Sequence, residues 1–292
     1  MTSTSPDQEP IEARPSRAGR DLPAAILVGL GLVAWIVLSL VFWPPGFILL
    51  VVLMACFGSI EIHHALRRIG MRSAIVPIVA GSVAIIAGTY AAAIFQPVTD
   101  LPWHEVLLGC LAVTVLLTLI WRMPGGAEGY VKDAAASLFT ISYIPLLASF
   151  LGLILAMPGG TWKVVTLALC VAGSDTGGYA VGATLGRHPM APNISPKKTW
   201  EGMAGSTLTA VAVGVLCALY LLGQPWWFGA LLGLACVVFG TAGDLIESLI
   251  KRDVGIKDMS SILPGHGGVL DRADSLLVAA PAAWLLFTLA PL

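Results

Sequence analysis

A chain of 292 residues, 57% of them hydrophobic and only 11% charged, with a mean hydropathy of +0.87, lies far outside the range of soluble domains. That composition excludes an ordinary aqueous globule and places the chain in a bilayer. The net charge of -1 decides little, because the arrangement of basic residues along a membrane chain, rather than their sum, sets its orientation.

Residues 1–21 contain Pro6, Pro10, Pro15, several acids and Arg14, Arg17 and Arg20, a composition that reads as a disordered cytoplasmic tail. A signal peptide is the competing reading of Arg20 before an apolar run, but the run is long and no small-x-small cleavage site follows. Apolar stretches near the ~20 residues needed to cross a bilayer then recur at 24–42, 46–62, 73–95, 105–121, 134–157, 162–183, 202–222, 226–249 and 275–291. The expected fold is all-α, a polytopic integral membrane protein of about nine transmembrane helices with a cytoplasmic N-terminus. With that count, every basic residue except Lys163 falls in the tail or in a cytoplasmic connection, as retention of Lys and Arg on the inner side requires. Cys56, Cys110, Cys170, Cys217 and Cys236 fall inside apolar spans without C-x-x-C spacing and read as small hydrophobes.

Residues 22–133 read as an N-terminal scaffold of four helices whose polar residues show no convergent pattern. Their one polar cluster, Glu61, His63, His64, Arg67 and Arg68, reads as an interfacial snorkelling group rather than a metal site, since adjacent histidines on a helix point apart. From 134 to 292 the character changes, and five helices interrupted by acids, glycines and prolines form the expected catalytic domain.

Asp175 stands inside the sixth apolar run, within Gly173-Ser174-Asp175-Thr176-Gly177-Gly178. An acid near the centre of a membrane helix costs about 2.5 to 3.5 kcal/mol on insertion scales and usually faces a wet cavity; the alternative is a helix-helix hydrogen-bond anchor among close-packing glycines. Next comes Ser195-Pro196-Lys197-Lys198-Thr199-Trp200-Glu201-Gly202, a proline-stiffened loop leading into the seventh span. Its two lysines beside a cytoplasmic helix N-terminus, where free N–H groups and the positive dipole end point outward, suggest an anion site. Enforcing the positive-inside rule is the plainer alternative.

At the end of the eighth span, Asp244, Ser248 and Lys251 recur at i, i+4 and i+7 on one helix face, with Arg252 at the exit. Lys257 and Asp258 follow, then Gly265-His266-Gly267-Gly268, where glycines permit close backbone approach to a ligand. Asp271 and Asp274 share one side of the ninth helix and can face Asp244. Two carboxylates from different helices plus substrate phosphates suit Mg²⁺, which takes few protein ligands. Zinc fits poorly, because His188 and His266 lack cysteine partners and HExxH spacing.

Taken together, Ser248-Leu-Ile-Lys251-Arg252, Lys257-Asp258-Met259-Ser260 and Pro264-Gly265-His266-Gly267-Gly268-Val-Leu-Asp271-Arg272-Ala-Asp274 resemble the signature of the phosphatidate cytidylyltransferase family. The similarity extends upstream through Ser174-Asp175-Thr176-Gly177 and the Ser195 to Gly202 stretch. Two departures stand out: Ser206, where the family often has glycine, and Gly178, where alanine is common.

The resemblance implies a multi-pass inner-membrane enzyme of phospholipid biosynthesis, with its active site facing the cytoplasm. Its partners would be CTP, phosphatidic acid, the lipid bilayer and a second copy in a homodimer; no nucleic-acid partner is expected. The cofactor would be Mg²⁺, with a companion cation such as K⁺, held by Asp244 and Asp271. Asp244, Asp271, Lys251, Arg252 and Asp274 form the expected catalytic set. The expected substrate contacts are Asp175, Ser195, Lys197, Lys198, Ser248, Lys257, Asp258, Gly265, His266, Gly267, Gly268 and Arg272. Two rival readings stay open here, a transporter with intramembrane carboxylates and a cytidylyltransferase or kinase acting on another lipid.

Overall fold

The computed structural model describes residues 22–260, 262 and 267–290. The tail at 1–21, together with Gly265 and His266, lies outside the described residues. The molecule is an all-α polytopic membrane protein with eleven α-helices and one small β-hairpin among the described residues.

The N-terminal half holds α1 (Leu22–Phe42), α2 (Pro44–Arg68), α3 (Ile75–Val83), α4 (Thr89–Thr99) and α5 (Trp103–Arg122). Pro44 and Pro45 open α2, where a missing N–H costs nothing and the fixed φ suits a first turn. A π-helical turn at Ala84–Gly88 joins α3 to α4, so the expected span at 73–95 is one rod with an irregular middle.

The C-terminal half holds α6 (Tyr130–Tyr143), α7 (Pro145–Ala156), α8 (Gly160–Leu185), β1 (Pro189–Ala191), β2 (Ser195–Thr199), α9 (Trp200–Cys217), α10 (Trp226–Asp253) and α11 (Leu270–Leu289). The expected span at 134–157 is broken between α6 and α7, because Pro145 has no N–H to give and its ring crowds the preceding turn. Eight of the resulting rods are long and apolar enough to cross a bilayer among the described residues; α1 contributes a shorter described apolar stretch, Leu27–Phe42.

The segment read from sequence as a proline-stiffened loop is an antiparallel hairpin, with Pro189 opposite Thr199 and Ala191 opposite Ser195. A two-stranded ribbon has only edges, so its prolines can leave their donor-free sides outward. Trp200 N–H donates to His188 O at 3.0 Å, which pins the ribbon to the start of α9.

Lipid tails give no hydrophobic drive for helices to associate, so membrane helices depend on close contact and hydrogen bonds. On α9 and α10 this is extreme at Gly214 and Gly229, where a Cβ on either would fall 2.2 Å from the other's carbonyl oxygen. Between α8 and α9, Thr209 Oγ1 donates to Gly173 O at 2.8 Å and Ser206 Oγ to Ser174 O at 2.7 Å.

One hydrophobic cluster runs from Ile62 of α2 through Ile144 and Ile154 to Leu167 of α8, Leu232 of α10 and Leu270 of α11. The change of chemistry at residue 134 therefore does not coincide with a gap in packing. Polar residues of the N-terminal half also converge, contrary to the sequence expectation. Asp133 accepts from Arg122 Nε and from Arg72 N–H, tying together α5, α6 and the segment before α3. Its partners are too far apart in sequence for spacing to reveal them.

Candidate active site

The C-terminal ends of α8 and α10 and the N-terminal ends of α9 and α11 enclose a cavity of about 570 Å³. Asp175 lies ten residues before the end of α8 at Leu185, about 15 Å at 1.5 Å per residue. Asp244 lies nine residues before the end of α10 at Asp253, about 14 Å. The polar floor thus reaches well below the helix ends.

Asp175, Ser195, Lys197, Lys198, Asp244, Asp271, Arg272 and Asp274 all line this cavity. These side chains come from four separate elements, α8, β2, α10 and α11. Asp175 is exposed to it, and the glycines that follow pack α8 on α9. Asp175 therefore faces the cavity, and the hydrogen bonds that tie this stretch of α8 to α9 come from Ser206 and Thr209 rather than from the acid.

The hairpin aims Lys198 inward, where its Nζ forms an ion pair with Asp244 Oδ2. The side chains are 26% and 34% exposed, so the pair is open to a substrate arriving through the mouth. The carboxyl of Asp274 stands beside that of Asp244, brought there by the close approach of α10 and α11 at Gly243, where a Cβ would meet Asp274 O at 2.4 Å.

A second knot adjoins the first. Lys251 Nζ binds both Glu247 Oε2 at 2.5 Å and Asp271 Oδ1 at 2.9 Å. Glu247 is only 3% exposed, and one of its oxygens, Oε1, has no hydrogen-bond partner among the described residues. Asp271 Oδ2 receives the N–H groups of Gly268 at 2.8 Å and Met259 at 3.1 Å, so the acid also anchors the loop before its own helix.

Five expected site residues, Ser248, Lys251, Arg252, Lys257 and Asp258, stand outside the cavity wall. Lys251 reaches the site through Asp271 and is not itself in the cavity wall, and Ser248 is half-buried on α10 away from it. Arg252 Nε points to Ile194 O in the hairpin turn, at 3.4 Å. Lys257 and Asp258 are exposed beyond the wall.

Gly267, with φ of +83°, and Gly268 do allow close backbone approach, but to protein acids. A Cβ on Gly268 would stand 2.9 Å from both Asp271 Oδ2 and Glu61 Oε1. The start of α9 is capped from within, since Gly202 N–H donates to Thr199 Oγ1 at 3.1 Å. Glu201 meanwhile receives the N–H groups of Arg187 and His188. Beside that helix start, whose Gly202 N–H is already taken, this edge offers an anion the cations of Lys197 and Lys198 on β2.

Glu61 is the residue that sequence reasoning missed. It is 1% exposed, not a snorkelling surface acid, and accepts from Val269 N–H at 2.8 Å, Leu270 N–H at 2.9 Å and the Ser260 hydroxyl. Its pattern of neighbours in the sequence, two histidines and two arginines, carried no signal of a partner near residue 269. Glu247 could have been found, because Glu247 and Lys251 have the i, i+4 spacing that favours a helical ion pair.

Among the described residues no group of three or more His, Cys, Asp or Glu is disposed to close around a metal ion by itself. The donor set still fits a hard divalent ion that shares its shell with phosphate and water. Asp244, Asp271 and Asp274 all face the cavity, and each carboxylate oxygen offers two acceptor directions, of which Lys251 Nζ takes one on Asp271 Oδ1. What converges here is a set of carboxylates for a cation and of Lys and Arg side chains for oxyanions.

The model of the Cytidylyltransferase family matches residues 23–290 of the chain. A phosphatidate cytidylyltransferase of Mycobacterium bovis is 38% identical over 94% of this chain and 91% of its own length. One from Mycobacterium leprae is likewise 38% identical, over 94% and 90%. A shorter match, 44% identical over 40% of this chain, is to the phosphatidate cytidylyltransferase of Bacillus subtilis.

Proposed function

Since the chain belongs to the Cytidylyltransferase family, we propose that the cavity joins CTP to phosphatidic acid, giving CDP-diacylglycerol and pyrophosphate. The observation that carries this reading is the convergence of Lys198 on Asp244, beside Asp271 and Arg272, in one cavity inside a membrane protein. A nucleotide phosphate and a lipid phosphate both need cations, and only a membrane-embedded site meets a lipid without extracting it.

The lipid supplies its own nucleophile. A phosphate monoester with a second pKa near about 6 is largely dianionic at neutral pH, so the reaction needs no activated serine or cysteine. An oxygen of the phosphatidate phosphate bonds to the α-phosphorus of CTP. The bond from that phosphorus to the β-phosphate's bridging oxygen breaks, and pyrophosphate leaves with the electron pair.

The barrier is mutual repulsion of anions and charge on the departing group, which positioned cations relieve. Lys197, Lys198 and Arg272 bind the phosphates, Lys198 exchanging Asp244 for an incoming oxygen. Lys251 holds Asp271 in place and neutralises Glu247 behind it. Asp175 bounds the inner end of the phosphate path.

Asp244 and Asp271 would hold Mg²⁺, with Asp274 in support. When bound, the ion offsets phosphate charge and aligns the reacting groups. A companion K⁺, the homodimer and a cavity mouth on the cytoplasmic face belong to the same proposal. The orientation is supported by Arg72, Arg122 and Lys132, which the Asp133 and Ile69 contacts gather at one end of the bundle.

Purified protein in mixed micelles, given labelled CTP, phosphatidic acid and Mg²⁺, is expected to form labelled CDP-diacylglycerol and pyrophosphate in equal amounts. No lipid-linked label, or label transferred equally to diacylglycerol, would sink the assignment.

A further inference from the structure

Helix α11 divides two cavities. At 100° per residue, Asp271, Asp274 and Ser275 face the polar one, while Ala273, Leu276 and Leu277 face a second cavity of about 210 Å³ between α1, α2, α7 and α11. The second is walled by apolar side chains, among them Ile36, Met54, Ala148 and Leu151, and Arg272 is its one charged wall residue among the described residues. Arg272 also lines the polar cavity, so a single guanidinium-bearing residue marks the seam between the two.

We propose that this apolar groove takes one acyl chain of the phosphatidate substrate, with Arg272 at the junction where chain gives way to phosphate; the proposal rests on the reaction assigned above. A phosphate joined to a long hydrocarbon is the chemistry that matches a polar cavity and an apolar one meeting at a cation. The volume holds roughly seven groups of ~30 Å³, the share of a water molecule. That is a segment of one chain rather than two, so the other chain stays in the bilayer.

The groove does not attract the chain by hydrophobicity, because a tail leaving lipid loses as much apolar contact as it gains. What it supplies is orientation, fixing the glycerol end so that the phosphate lies over Lys197 and Lys198. This gives α1 and α2, otherwise scaffold, a direct part in choosing the substrate.

The test uses full-length protein in liposomes and phosphatidic acid carrying a diazirine midway along one acyl chain. Photolysis is expected to label α2 and α7 around Met54 and Leu151. Unlabelled phosphatidic acid should suppress the labelling, and an equal amount of phosphatidylcholine should not. Label confined to outward residues such as Leu116 and Ile120 of α5, or equal competition by phosphatidylcholine, which would make this a site for bulk lipid, overturns the proposal.

Ala148→Leu, which fills the groove, is expected to raise KM for dioleoyl phosphatidic acid about tenfold. KM for the dibutyryl lipid, whose tails stop short, should change less than twofold. Equal losses on both lipids count against the groove, and the labelling of the unmodified protein decides the matter if the variant does not fold. Product formed with labels elsewhere defeats the groove alone, whereas no product from either lipid defeats the underlying reaction.

Discussion

The carboxylate of Glu61, on α2, caps Leu270, the first residue of α11, whose N–H it accepts at 2.9 Å across 209 residues of sequence. Its other oxygen takes the Val269 N–H at 2.8 Å. The start of a helix leaves N–H groups without partners and carries the positive end of the dipole. A buried acid from another helix satisfies both. Because Asp271 and Asp274 follow at the start of the same helix, the N-terminal half fixes where these two cavity carboxylates stand.

Glu61→Ala would leave two buried donors unmet, at about 1 to 3 kcal/mol each. The expected result is a lower thermal midpoint in detergent and a fall in turnover of at least tenfold. Glu61→Gln, which keeps one carbonyl acceptor but turns an NH₂ toward a donor, should lie between. Unfolding followed by intrinsic fluorescence, beside CDP-diacylglycerol synthesis, measures both, and an alanine variant matching the parent in each refutes the cap's importance.

Lys198 and Asp244 should behave as a unit. Removing the lysine alone leaves a partly buried carboxylate without its counterion, and removing the acid alone does the reverse. Lys198→Ala and Asp244→Asn are each expected to lower turnover at least tenfold. The double variant should fall well short of the summed loss, a coupling of about 0.5 to 3 kcal/mol. Additive losses would show that the two act separately. EDTA should abolish turnover of the parent, and added Mg²⁺ should restore it.

The helices and their order were legible because a bilayer-spanning run announces itself by length and hydropathy alone. The identities of Asp175, Lys198, Asp244 and Asp271 were legible too, since acids and lysines against so much hydrocarbon need a reason. Pairing was not. Asp271 is tied to Lys251 and to the Gly268 N–H, while Asp244 sits with Lys198 and Asp274. Which acid meets which base depends on how far α10 and α11 approach at Gly243. The hairpin was missed because four prolines or glycines in and around 186–196 speak for a turn whether or not strands flank it. Glu61 was missed because its partners are backbone groups, which have no residue-type signature.

The two departures from the family pattern turn out to touch. A Cβ on Gly178 would stand 2.4 Å from Ser206 Oγ, and that hydroxyl is held by Ser174 O. An alanine at 178 with glycine at 206 fills the same space by the opposite exchange. Gly178→Ala alone is therefore expected to lower stability by about 1 kcal/mol as Ser206 swings off its acceptor. Adding Ser206→Gly should recover most of that loss in thermal unfolding. A double variant less stable than the single one contradicts the pairing.

Asp271→Asn keeps the size of the side chain and one acceptor oxygen but removes the charge opposite Lys251. The expected outcome is normal accumulation in the membrane and loss of nearly all CTP-dependent conversion of phosphatidic acid. A fully active variant, measured at saturating Mg²⁺, would remove this acid from both its proposed roles.

Lys163 provides the contrast. It lies at the opposite end of α8 from the cavity mouth, twelve residues before Asp175, about 18 Å along the axis. Its Nζ sits 5.7 Å from the centre of the Phe287 ring and 3.8 Å from Met157 Sδ. A cation over an aromatic face contributes about 0.5 to 1 kcal/mol at a partly open position. Lys163→Ala should therefore cost a small amount of thermal stability while turnover, and KM for CTP, stay within twofold of the parent. A large loss of activity would mean that charge at this end of the bundle reaches the phosphates, and the placement of the chemistry at the α8 to α11 mouth would have to be abandoned.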